Sequence, residues 1–176
     1  MKRIATVVTC AALVMLSASG ASAQKGTVFL VGSAGASLPM GDFKDGGAKT
    51  GYMASAGLGY DVTNHLFIAG LGRYGSNGSD AGGESQKLTG FGATAGWSFG
   101  TPTSKIAPYI RGGVSMLKGK VGDISGDSKS TMHGAFGLFM PKAKGGWFVE
   151  GEYNTNDDID FLVVSVGLTW TIKAGS

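Results

Sequence analysis

Charge is scarce in this chain: 15% of its 176 residues are Asp, Glu, Lys or Arg, against about 25% in an average soluble domain. A soluble domain so poor in charge has difficulty wetting its surface. Cysteine occurs once, at Cys10, so a disulfide scaffold is excluded. Beyond residue 24 no apolar run approaches the roughly 20 residues of a spanning helix, so any membrane embedding there has to use strands. Helical periodicity is also missing. Glycine supplies 32 residues, recurs every few positions, and costs about 1 kcal/mol each time inside a helix.

What is present begins with a targeting pattern. Lys2 and Arg3 precede an uncharged apolar run from Ile4 to Leu16, and Ala21-Ser22-Ala23 precede Gln24. This reads as a Sec-type signal peptide over residues 1–23, with cleavage expected after Ala23. Val7-Val8-Thr9 before Cys10 lack the small residues of a lipoprotein site. Cleavage removes two of the 15 basic side chains and leaves them nearly balanced against 12 acidic ones. Nothing then suggests nucleic-acid binding.

Residues 24–176 read as one domain. Period-two alternation marks eight strands, at about 27–38, 50–60, 65–75, 86–99, 107–120, 130–140, 146–155 and 160–172, each near the length of a tilted transmembrane strand. The gaps alternate. "PMGDFKDGGAK" at 39–49, "SNGSDAGGES" at 76–85, "VGDISGDSK" at 121–129 and the shorter "NDDI" at 156–159 are polar, whereas 61–64, 100–106 and 141–145 are tight turns. Long loops at one end and short turns at the other predict an all-β, eight-stranded, antiparallel, up-and-down transmembrane barrel.

Aromatic residues are expected to form two belts. Trp97, Trp147 and Trp170 fall at the short-turn end, with Tyr60, Phe67, Phe99 and Tyr109 near that level. Tyr52, Tyr74, Tyr153 and Phe161 fall near the long loops.

Charges inside strands should face the lumen. "WFVEGEYN" sets Phe148, Glu150, Glu152 and Asn154 against Trp147, Val149, Gly151 and Tyr153, and Arg111 opposes the apolar face of Ile110, Val114 and Met116. Arg73 shares its face with Phe67, Ala69 and Leu71, which leaves that strand's sidedness open. The expectation is a packed lumen in which Arg73 and Arg111 pair with Glu150 and Glu152, with His133 as a further member, because buried ions need partners. Inward glycines such as Gly90, Gly92 and Gly96 would make room for the long charged side chains. Lys118 and Lys120 face outward near the upper end, where they can snorkel. A soluble lipocalin-like barrel is the competing architecture. It would have to expose Phe91, Ala93, Ala95, Trp97 and Phe99 to water or line its outside with glycine.

Two motifs carry a resemblance. Pro39-Met40-Gly41-Asp42-Phe43 after the first strand is similar to the P-x-G-D-F loop of small bacterial outer-membrane β-barrel proteins of the OmpX-like and opacity-type group. Ser165-x-Gly167-x-x-Trp170-x-Ile172 resembles the C-terminal signal read by the barrel assembly machinery, although Lys173 to Ser176 follow where the group ends on an aromatic residue. The resemblance implies a Gram-negative outer membrane, chain ends in the periplasm, long loops at the surface, and contact with lipid, lipopolysaccharide and the assembly machinery.

The function expected is structural or interactive: a monomeric barrel with a packed polar lumen and four surface loops meeting an unidentified partner. A small-solute channel is the alternative, and eight strands leave little lumen for one. An outer-membrane lipid-modifying enzyme is a further alternative, but His133 is followed by Gly134 and Ala135 rather than the His-x-Ser of a deacylase, and His65 has no evident nucleophile beside it. No catalytic, cofactor-binding or metal-ligating set stands out. The loop acids Asp42, Asp45, Asp80, Glu84, Asp123, Asp127, Asp157 and Asp158 lack the spacing of a calcium loop and read as solvated turn residues.

Overall fold

A computed structural model describes residues 25–79, 85–100, 104–156 and 160–175. The expected signal peptide and the loop acids Asp80, Glu84, Asp157 and Asp158 lie outside the described residues. Eight strands, β1 (Val28–Met40), β2 (Ala48–Asp61), β3 (Leu66–Ser79), β4 (Gln86–Ser98), β5 (Ala107–Val121), β6 (Ile124–Lys142), β7 (Gly145–Thr155) and β8 (Asp160–Lys173), follow one another around a closed antiparallel barrel. β1 pairs with β8 over Val28 to Met40, so the sheet has no open edge. Closure satisfies the ladder in a medium without water, the condition for spanning lipid with strands. Among the described residues no helix is long and apolar enough to cross a membrane.

Alternation decides which side chains face out. Leu58, Ile68, Phe91, Val114, Phe136 and Val164 are exposed on the outer face, and between the two rims the outward positions carry no charge. Trp97 and Trp170 are exposed and Trp147 half-buried, all on outward positions at the short-turn end. Three of the belt expectations are corrected. Phe67 and Tyr109 point into the lumen, and Phe161 is fully buried at the other end of it. Strand parity, not height, separates a belt residue from a lumen residue.

Lumenal rings are accommodated by glycine on the next strand. Phe29 stands opposite Gly59, Phe67 opposite Gly96, Tyr109 opposite Gly137 and Phe148 opposite Gly167. A Cβ on any of these glycines would run into the facing ring. The inward glycines therefore house aromatics more than charges. Gly96 does pair in register with Arg111, and Gly90 with Arg73, but the atoms over them belong to Phe67 at Gly96 and to Met116 and Leu117 at Gly90.

The third long gap is also corrected. Residues 121–129 are not a loop: β5 and β6 continue as a ribbon and turn only at Gly122-Asp123, with Val121 paired to Ile124. Gly122 has φ +55°, which suits the first central position of a type II′ hairpin turn. The turn chemistry of Gly and Asp marks a reversal but does not reveal how far the strands around it run. The first gap is shorter than expected too, and holds one turn of helix, α1 (Gly41–Asp45), while 76–79 belong to β3.

Candidate functional site: the packed lumen

The lumen is layered. At the long-loop end Met53, Leu88, Leu117, Phe161 and Val163 form an apolar cluster, and Phe43 of α1 packs on it. The Phe43 and Phe161 rings lie 6.3 Å apart. Gly41, at φ +50°, turns the chain so that α1 folds over the opening. The P-M-G-D-F segment thus gains a physical role: glycine makes the reversal and phenylalanine closes the lid. Phe161 is 0% and Leu117 1% exposed, so this end is sealed by side chains.

Below the plug lie the ion pairs. Arg73 on β3 donates Nη1 to Glu152 Oε1 at 2.6 Å and Nη2 to Glu152 Oε2 at 3.0 Å, with a further bond from Nη1 to Asn154 Oδ1 at 2.9 Å. Arg111 on β5 donates Nε to Glu150 Oε2 at 2.7 Å and Nη2 to Glu150 Oε1 at 2.6 Å, and also bonds Glu152. Tyr109 donates its hydroxyl to Glu150 Oε2 at 2.7 Å, and Asn154 Nδ2 donates to Glu152 Oε1 at 2.8 Å. The structure brings Arg73, Arg111, Glu150 and Glu152 into one network with two bidentate forks, the strong geometry for buried guanidinium–carboxylate pairs. Two cations balance two anions.

His133 stands apart from that network. Its Nδ1 lies 3.3 Å from Ser115 Oγ, and its Nε2 has no hydrogen-bond partner. Both side chains are buried and point inward. His65 stacks on Trp97 at 5.4 Å and its Nδ1 lies 2.9 Å from the Ser98 carbonyl oxygen, which ties a short turn to β4. Among the described residues no group of three or more His, Cys, Asp or Glu is placed to hold a metal.

The short-turn half is apolar, which sequence reasoning missed. Phe29, Val31, Phe67, Leu71, Phe139 and Phe148 line a cavity of about 130 Å³, roofed by Tyr109, Arg111 and Glu150 and bordered below by Asp61 and Ser98. Arg73 and its face-mates Phe67, Ala69 and Leu71 all point inward. The mixed face of β3 records a lumen that is charged in the middle and apolar beneath. The signal was in the sequence, since an arginine cannot face hydrocarbon in mid-span and so fixes the parity of its whole strand.

A closed, inward-charged and outward-apolar barrel of eight strands calls for comparison with known proteins. Residues 8–171 match the model of the outer membrane protein beta-barrel domain family. The chain belongs to that family. No curated protein matches the chain. Among solved structures it is similar to Neisserial surface protein A, at 20% identity and a TM-score of 0.65, over 88% of this chain and 100% of that one. OprG of Pseudomonas aeruginosa aligns at 10% identity and 0.61 over 85% of this chain and 98% of that one. Ail of Yersinia pestis, solved with the heparin analogue sucrose octasulfate, aligns at 17% and 0.58 over 85% and 100%. Identities this low establish a shared fold, and family membership places the barrel in an outer membrane.

Proposed function

We propose that this chain is a non-conducting, non-catalytic structural and interaction protein of the outer membrane, with its long loops and the β5–β6 ribbon presented at the cell surface. The observation that carries the reading is the double closure of the lumen. The apolar cluster around Phe161 closes the long-loop end, and the Arg73–Glu152 and Arg111–Glu150 forks brace the middle. Among the described residues the only histidine contact with a serine hydroxyl, Ser115 with His133, is buried inside the barrel where no lipid reaches it, which argues against a hydrolase. On this reading the barrel acts as a monomer, is inserted by the barrel assembly machinery through Ser165, Gly167, Trp170 and Ile172, and meets lipopolysaccharide and an unidentified surface partner with its outer half.

Planar-bilayer recording of the refolded protein tests the proposal. Steps no larger than the bilayer's background noise are expected. A stable, sizeable open state would overturn the reading in favour of a small-solute channel.

A further inference from the structure

We propose that the outward face of β4 and β5 at the long-loop end is a binding site for the phosphate groups of an acylated anionic lipid in the adjacent leaflet, held by Lys87, Lys118 and Lys120. The inference rests on the barrel lying in an outer membrane and is independent of whether its lumen conducts.

The register sets the geometry. Lys87 is the direct cross-strand partner of Lys120, and Lys118 pairs with Thr89 one rung lower. All three are exposed, while their chain neighbours Leu88 and Leu117 are buried in the lumenal plug, which fixes the lysines on the outside. Like charges directly opposite on one face of a sheet repel and destabilise it. Among the described residues neither Lys87 nor Lys118 makes an ion pair, and Lys120 has only a 3.7 Å contact to the fully exposed Asp123. An anion between the three ammonium groups would convert the repulsion into binding.

Height identifies the anion. The Trp97–Ile110 rung lies ten residues below the Lys87–Lys120 rung on the same face. At about 3.3 Å per residue and a tilt near 40°, that spans roughly 25 Å, the height of the apolar band of such barrels. Tyr74 pairs with Thr89, and its ring lies 6.1 Å from that of Tyr52, an aromatic pair at the same upper boundary. The ammonium groups thus sit at headgroup level. Directly beneath them Phe91 and Met116 form an exposed apolar rung, 66% and 46% accessible, on which acyl chains can lie. A polar site over an apolar one on the same strands fits a phosphorylated lipid and not a free ion.

Distribution argues against general snorkelling as the explanation. Near the long-loop end the outward positions Leu38, Tyr52, Tyr153 and Leu162 of other strands are uncharged, Asp160 of β8 carries the opposite sign, and the exposed Lys49 of β2 has no lysine in register with it. Lysines that merely reached for headgroups would have no reason to gather on two paired strands.

The test uses the full folded barrel in phosphatidylcholine vesicles doped with bis-phosphorylated lipid A, with dephosphorylated lipid A, or with neither plus inorganic phosphate. Retained lipid is counted by native mass spectrometry after detergent exchange. The Lys87→Gln/Lys118→Gln/Lys120→Gln variant changes only exposed side chains, and its folding is checked by heat-modifiable migration. Lys144→Gln/Lys173→Gln at the short-turn end controls for lost positive charge. Wild type and control should retain phosphorylated lipid A, and the triple variant should lose it by about tenfold or more. Equal retention by the triple variant, equal retention of the dephosphorylated lipid, or displacement by millimolar inorganic phosphate would each overturn the proposal. None of these outcomes alters the conductance that tests the proposed function.

Discussion

Arg73 and Glu152, 79 residues apart in sequence, join across the full width of the barrel. β3 and β7 are four places apart around the closed sheet in either direction, so this fork is a diametric brace. Glu152 is also the shared acceptor: it takes both Nη atoms of Arg73, one of Arg111, and Asn154. Among the described residues Glu150 accepts from Arg111 and Tyr109 alone.

That asymmetry ranks two substitutions. Glu152→Gln leaves Arg73 without a carboxylate, and breaking one partner out of a buried pair costs about 3–5 kcal/mol. Glu150→Gln leaves Arg111 with Glu152 and should cost clearly less. Urea unfolding of the refolded barrel in lipid vesicles measures both. If Glu150→Gln is the more damaging, the brace is not the principal support.

Gly167 carries two explanations that a second substitution separates. A Cβ there would strike the Phe148 ring and come within 2.6 Å of the Gly32 carbonyl oxygen. Gly167→Ala should therefore reduce the heat-modifiable folded fraction, and Phe148→Ala in the same chain should restore part of it. If the assembly machinery reads Gly167 directly, insertion in cells will stay impaired in the double variant while refolding in vitro recovers.

Phe43 is the lid over a cluster that is already closed. Phe43→Ala should cost about 1 kcal/mol, because its ring is only half-buried, yet it should release α1. Trypsin cleavage after Lys44, followed by mass spectrometry of intact barrels, is expected to accelerate several-fold. An unchanged cleavage rate would mean that the loop is held by other contacts.

The β5–β6 ribbon makes a prediction opposite to that of a nine-residue loop. Lys118, Lys120 and Lys129 lie in paired strands, so tryptic cutting there should be slow and confined to the tip. Gly122→Val, which forces a branched side chain to φ +55°, should open the ribbon to trypsin while leaving the unfolding midpoint of the barrel within about 0.5 kcal/mol. Rapid cleavage of the wild-type ribbon would contradict the pairing.

Local pattern carried much of this fold because a barrel's alternation is local. Whether Val149 or Glu150 faces lipid is written in the chain, since hydrocarbon tolerates only one of them. The same rule placed Arg73, Arg111, Glu150 and Glu152 inside and the tryptophans outside. Strand length was legible only where a hydrophobic change marked the boundary. In "VGDISGDSK" both faces of the ribbon meet water, so polar residues there signal exposure and not the end of pairing.

By itself, the sequence determined that this chain forms a strand-built membrane protein, how many strands it has, and that the strand charges turn inward, because burial in lipid acts residue by residue. Tertiary structure alone decided what those inward side chains meet. Closure set β3 opposite β7 and joined Arg73 to Glu152, laid Phe148 on Gly167, drew Phe43 over Phe161, and brought Lys87 beside Lys120. Each of these relations depends on register and shear summed around eight strands, a quantity that no single stretch of the chain contains.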